Sequence, residues 1–118
     1  MKIIGPLIQF RNQLQLFHWQ ADTYAQHKAF GRAYKGLDEP IDTFVEVYIG
    51  IFGHQVSTSQ FDFNIKSFSN ENISIVIEDF LDFLTEITKT FYKHTDLLNI
   101  KDTILAQVNQ LKYLLTLK

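Results

Sequence analysis

From Asn72 to Phe91, the apolar residues Ile73, Val76, Ile77, Phe80, Leu84, Ile87 and Phe91 recur every three or four positions, while Glu78, Asp79, Asp82, Glu86 and Lys89 occupy the other side. A segment with this period is committed to an amphipathic helix, and its apolar face must be covered by other elements. Three further helices follow by the same reasoning. Leu7, Phe10, Leu14 and Phe17 repeat at three and four residues behind Gly5-Pro6, which puts proline at a helix start and predicts a first helix over about 6–21. Asp22 or Thr23 can cap a second, whose stripe runs Phe30, Ala33, Tyr34, Leu37, Ile41, Phe44, Val45 and Tyr48 toward Gly53. Pro40 lies inside this stretch. It lacks a backbone donor and clashes with the preceding turn, so it predicts a kink or a new helix capped by Asp38. Asn99 followed by Asp102 resembles a capping arrangement, and Ile104, Val108, Leu111 and Leu115 carry a last helix to the C-terminus.

Between Gly53 and Asn70 the helical period is lost. Phe61, Phe63 and Ile65 alternate as in a strand, but no partner strand exists, so the segment reads as a packed crossover connection. At 118 residues and 46% apolar content the chain can bury one core, which predicts a single domain over 1–118. Two short helix connections and one long one give an all-α, ferritin-like four-helix bundle with the crossover between helices 2 and 3.

Composition narrows the function classes. Eleven basic and 13 acidic residues leave a formal net charge of -2, which argues against a surface built for nucleic-acid phosphates or anionic lipid; DNA binding is not expected. With no cysteine there is no disulfide framework and no thiolate chemistry, which fits a cytoplasmic location and restricts any metal site to nitrogen and oxygen ligands. The apolar start Ile3-Ile4-Gly5-Pro6-Leu7-Ile8 is too short and broken for a signal peptide. No stretch approaches the ~20 apolar residues of a membrane span. Gly-rich phosphate loops, Ser-His-Asp order and zinc-protease motifs are absent. The eleven phenylalanines read as core and interface packing, Asp38 and Glu39 as cap and surface charges, and His54 and His94 as helix-end residues.

The one cluster with a chemical reading lies between Phe17 and Tyr48, where His18-Trp19, His27, Asp42 and Glu46 combine imidazole with two carboxylates at i and i+4. Such a donor set suits iron, manganese or zinc. A His-Trp pair ending a first helix, a second histidine early in the next, and Asp-x-x-x-Glu fifteen residues later resembles the Dps family of ferritin-like, starvation-inducible DNA-protection proteins. The match is best from Leu14 to Tyr48. The resemblance implies iron bound between two subunits and oxidised there by peroxide or dioxygen, with His18 and His27 from one chain, Asp42 and Glu46 from its partner, and Trp19 packed nearby. This sequence carries Gly31 where the family has a further carboxylate ligand, and its two histidines are nine residues apart where the family usually has twelve.

Helix geometry favours sharing between chains independently. Fifteen residues at about 1.5 Å each separate His27 from Asp42 by roughly 22 Å, too far for one ion on one straight helix. An antiparallel two-fold pairing of the helix with its copy would bring each His27 to the other chain's carboxylates, so a homodimer at least is expected, with a larger shell as an extension. His18 can join because it faces His27 across a turn near Asp22-Thr23. The alternative is a metal-free helical dimer that acts as an interaction protein on the same scaffold.

Overall fold

The computed structural model describes residues 1–54 and 60–118 of the chain. Its described residues form four helices, α1 (Ile4–Gln20), α2 (Tyr24–Phe52), α3 (Asn70–Thr90) and α4 (Thr95–Leu114). The predicted α1 face is buried at every position, Leu7, Phe10, Leu14 and Phe17. Thr23 caps α2, its hydroxyl accepting the Gln26 N–H at 3.2 Å, and Gly53 ends that helix with φ +80°, a conformation that favours glycine. Ser69 caps α3 by accepting the Asn72 N–H at 3.0 Å, so α3 begins two residues before Asn72.

Two expectations are corrected. Of the two outcomes expected at Pro40, a kink or a new helix capped by Asp38, the second does not occur: α2 runs through Pro40 as one element of 29 residues. Leu37 and Phe44, both buried, anchor it on either side of the proline, and this packing offsets the bond that Pro40 cannot make to Gly36. Nor does the Asn99 and Asp102 pair start α4, which begins one turn earlier at Thr95. Leu97 is fully buried and so extends the apolar face toward the N-terminus. Asp96 sits in the first turn, where a carboxylate suits the helix dipole, and its Oδ1 accepts the Leu97 N–H at 2.9 Å.

Helix α1 packs on α2, α2 on α4, α4 on α3 and α3 on α1, which closes a four-helix ring with α2 diagonal to α3. The most extensive contacts are those of α2 with α1 and with α4, and α2 presents glycines there. A Cβ on Gly31 would lie 2.8 Å from the His18 ring of α1, and one on Gly36 would lie 2.6 Å from the Gln107 amide of α4.

The described part of the crossover is extended, and α1 glutamines take the place of a partner strand. Gln13, only 1% exposed, donates from Nε2 to the Lys66 carbonyl at 2.8 Å and accepts the Lys66 N–H at 2.7 Å. Gln9 accepts the Asn64 N–H at 2.9 Å, and Gln20 accepts the Phe68 N–H at 2.8 Å. Alternate backbone groups of one extended strand are thus satisfied by side chains. The alternation of Phe61, Phe63 and Ile65 has no counterpart in burial, since all three are exposed, and no β-ladder forms among the described residues. The stretch 55–59 of the predicted crossover lies outside the described residues. Because the crossover meets Gln9, Gln13 and Gln20 in ascending order, it runs parallel to α1 and returns the chain to the end where α2 began. Helix α3 therefore runs in the same direction as α2, across the ring from it. No described helix is long and apolar enough to cross a membrane.

Candidate functional site

His18 lies in the last turn of α1 and His27 in the first turn of α2, and the three-residue connection 21–23 brings them face to face. Their rings stack with centroids 3.8 Å apart and planes 22° from parallel. Each ring is also tied to the other residue's backbone. His18 Nδ1 donates to the His27 carbonyl at 2.6 Å, and His27 Nδ1 donates to the His18 carbonyl at 2.9 Å. A carbonyl can only accept, so each Nδ1 carries a proton in this arrangement and a neutral ring keeps its free lone pair on Nε2. The His18 carbonyl belongs to the last turn of α1, where backbone acceptors lack helical partners, so the His27 bond also completes the end of α1.

The packing around the pair explains Gly31. The His18 ring occupies the space a Cβ would take there, and Tyr34 closes the ring's other side edge-on at 5.5 Å. Below lie Phe17, Phe30 and Phe68, the first two fully buried, with Phe17 and Phe30 ring centroids 5.4 Å apart. Trp19 is 67% exposed, so it points outward and does not pack against the histidines.

Asp42 and Glu46 are exposed on α2, about four to five helical turns beyond His27, and within one chain they do not join the pair. Among the described residues no group of three or more histidine, aspartate or glutamate side chains could hold a metal ion. A single chain therefore brings together two of the four residues singled out from sequence. The two imidazoles open instead onto a cleft of about 680 Å³ with Lys28, Arg32 and Lys35 in its wall and no carboxylate among its described lining residues. That lining is electropositive. A cation entering the cleft would be opposed by three fixed positive charges unless carboxylates came from outside the chain.

Sequence reasoning missed two features nearby. Gln13 sits among apolar residues of α1, and nothing local announces that its partner lies 53 residues away. Asp38 is not a helix cap: its Oδ1 accepts from Arg11 Nε at 2.8 Å, fastening α2 to α1, while the Arg11 guanidinium lies 4.8 Å from the Tyr34 ring centre. His94 does stand at a helix end, in the N-cap position of α4, against the Phe52 ring at 5.3 Å.

Residues 18–115 match a family of unknown function, DUF5856, and the chain belongs to that family. No curated protein and no solved structure matches it.

Proposed function

Starting from a family without an assigned activity, we propose that this chain works as an interaction protein on a ferritin-like scaffold, with the histidine pair serving as a clasp that fixes the α1–α2 hairpin. The order of the chain supports the ferritin-like reading: a hairpin, one long crossover that runs back along α1, and a second hairpin. The observation that carries the functional reading is the reciprocal bonding of His18 and His27, which uses one nitrogen of each ring to finish backbone structure. Asp42 and Glu46, exposed and remote from the pair, are then surface charges available to a partner.

A second reading is favoured by the tautomer. Metal-bound histidines commonly have Nδ1 fixed by a carbonyl while Nε2 coordinates, which is how both rings are held here. In that reading the chain is a Dps-like metalloprotein, with His18 and His27 joined by Asp42 and Glu46 of a second copy around iron or a similar divalent metal such as zinc or manganese. Ferrous ion there would be oxidised by peroxide or dioxygen.

Elemental analysis of the purified protein and ferrous oxidation with and without peroxide decide between them. The interaction reading expects less than 0.1 equivalent of iron, zinc or manganese per chain and oxidation no faster than buffer. Stoichiometric metal lost in the double variant His18→Ala, His27→Ala would overturn it in favour of the metal site.

A further inference from the structure

Seven charged residues lie on α2, and one of them, Asp38, is engaged by Arg11. The other six are Lys28, Arg32, Lys35, Glu39, Asp42 and Glu46, all exposed. Their spacings alternate between four and three residues, which places all six in one narrow stripe along the helix, opposite the buried Phe30, Leu37 and Phe44. The first three are positive and the last three negative. They are also placed symmetrically about Leu37: Lys35 and Glu39 two residues away, Arg32 and Asp42 five, Lys28 and Glu46 nine. Among the described residues none of the six forms an ion pair within the chain.

The helix itself gains nothing from this order. Cations in the N-terminal half and anions in the C-terminal half oppose its dipole, and no acid stands in its first turn nor base in its last. Only Lys35 and Glu39 are spaced for an intrahelical pair, in the less favourable orientation with lysine first. An antiparallel copy resolves the pattern completely. A two-fold axis at the level of Leu37 sets Lys28 against Glu46, Arg32 against Asp42 and Lys35 against Glu39 of the second copy, and symmetry repeats each pair. A parallel copy would set like charges together throughout. The electropositive cleft beside Lys28, Arg32 and Lys35 is where the incoming carboxylates would arrive.

We infer that the α2 stripe is a self-recognition surface whose partner is a second copy of this chain, docked antiparallel with Leu37 of both copies level at the two-fold axis. This deepens the interaction reading and rests on it, naming the partner and the register. The same register sets Glu46 of the second copy beside Lys28, next to His27, so the charge pairing and a shared metal site draw on the same carboxylates.

The test is sedimentation equilibrium of the full chain at 20 mM and 500 mM sodium chloride, with two charge-reversed variants, and disulfide crosslinking of two cysteine variants. Wild type is expected to dimerise and to dissociate at least tenfold more readily in high salt, because its contacts are exposed ion pairs. The all-positive variant Glu39→Lys, Asp42→Lys, Glu46→Lys and the all-negative variant Lys28→Glu, Arg32→Glu, Lys35→Glu should each be monomeric with unchanged helical circular dichroism, and should form a heterodimer when mixed. Register is read from Lys35→Cys with Glu39→Cys, which should crosslink on oxidation in a chain that otherwise lacks cysteine. Glu46→Cys alone should not, since its two copies would stand roughly 27 Å apart along the helix axis. A wild-type monomer at 100 µM in low salt would overturn self-recognition. A dimer that survives both charge reversals would overturn this register while leaving the interaction reading standing, and metal found at the histidines would overturn that reading whatever the oligomeric state. Dissociation of the dimer by added phosphate at constant ionic strength would show that the basic half is an anion site and would also overturn the proposal.

Discussion

Where α1 turns into α2, three residues reverse the chain and two imidazoles, stacked and bonded to each other's backbone, hold the helix ends in register. At the opposite end, where α3 turns into α4 over residues 91–94, closure is aromatic. Phe91 meets Tyr48 edge-on at 5.8 Å and Phe52 at 5.7 Å, and His94 lies across the Phe52 ring. The first end is specified by directional bonds that tolerate few geometries, the second by apolar area that many side chains supply. The two ends should therefore fail differently. The aromatic end loses more energy per side chain removed, and the histidine end loses more precision.

The largest effect is expected at the aromatic end. Phe91 is 7% exposed and anchors the ring cluster, so Phe91→Ala should destabilise by about 3–5 kcal/mol through lost burial and the cavity left behind. Urea unfolding followed by far-UV circular dichroism reads this directly. A loss below about 1 kcal/mol would mean that the cluster collapses onto the gap, and that this end is as adaptable as the other is exact in its bonding.

A smaller effect belongs to the crossover clamp, which ties the histidine end to the rest of the bundle. Gln13→Leu keeps the volume and removes both bonds to Lys66, leaving a largely desolvated N–H and C=O without partners. Each unpaired group costs about 1–3 kcal/mol, partly recovered where water reaches residue 66, so a net loss of about 2 kcal/mol is expected. Hydrogen exchange gives the sharper measurement: the Lys66 amide should lose protection while amides in the middle of α3 keep theirs. Equal loss in both would show that the crossover does not open separately from the bundle.

How much of this was readable beforehand differs between the two kinds of interaction. Apolar burial has a period, and Leu7, Phe10, Leu14 and Phe17, like Ile73, Ile77, Phe80 and Leu84, declare their face in the sequence alone. The facing of His18 and His27 across a short turn was also legible, because it depends only on helix geometry. What each nitrogen bonds to was not. Backbone carbonyls are identical along the chain, so nothing in the residue letters distinguishes a ligand from a clasp. Gln13 and Gln20 were illegible for a related reason: they serve residues 66 and 68, and a strand completed by side chains has no partner to find. The start of α4 was misplaced because Asn99 and Asp102 mimic a cap locally, whereas the boundary is fixed by tertiary burial of Leu97.

The smallest effect distinguishes the two ends best, because its sign depends on one neighbour. Replacing glycine by alanine inside a helix ordinarily stabilises by about 1 kcal/mol, since glycine loses more backbone freedom on folding. At Gly31 the new Cβ would come within 2.8 Å of the His18 Cε1 and Nδ1 atoms, closer than real contacts allow. The ring would have to swing away, giving up its bond to the His27 carbonyl and its stack on His27, and the crowding adds about 1–3 kcal/mol. Gly31→Ala is therefore expected to destabilise by about 1 kcal/mol net. In a His18→Ala background the obstruction is gone, and the same substitution should stabilise by about 1 kcal/mol. The resulting coupling of about 2 kcal/mol is measurable by a double-mutant cycle in urea. Additive effects, with Gly31→Ala stabilising in both backgrounds, would show that the imidazole has other places to go and that the clasp does not set the register of this end.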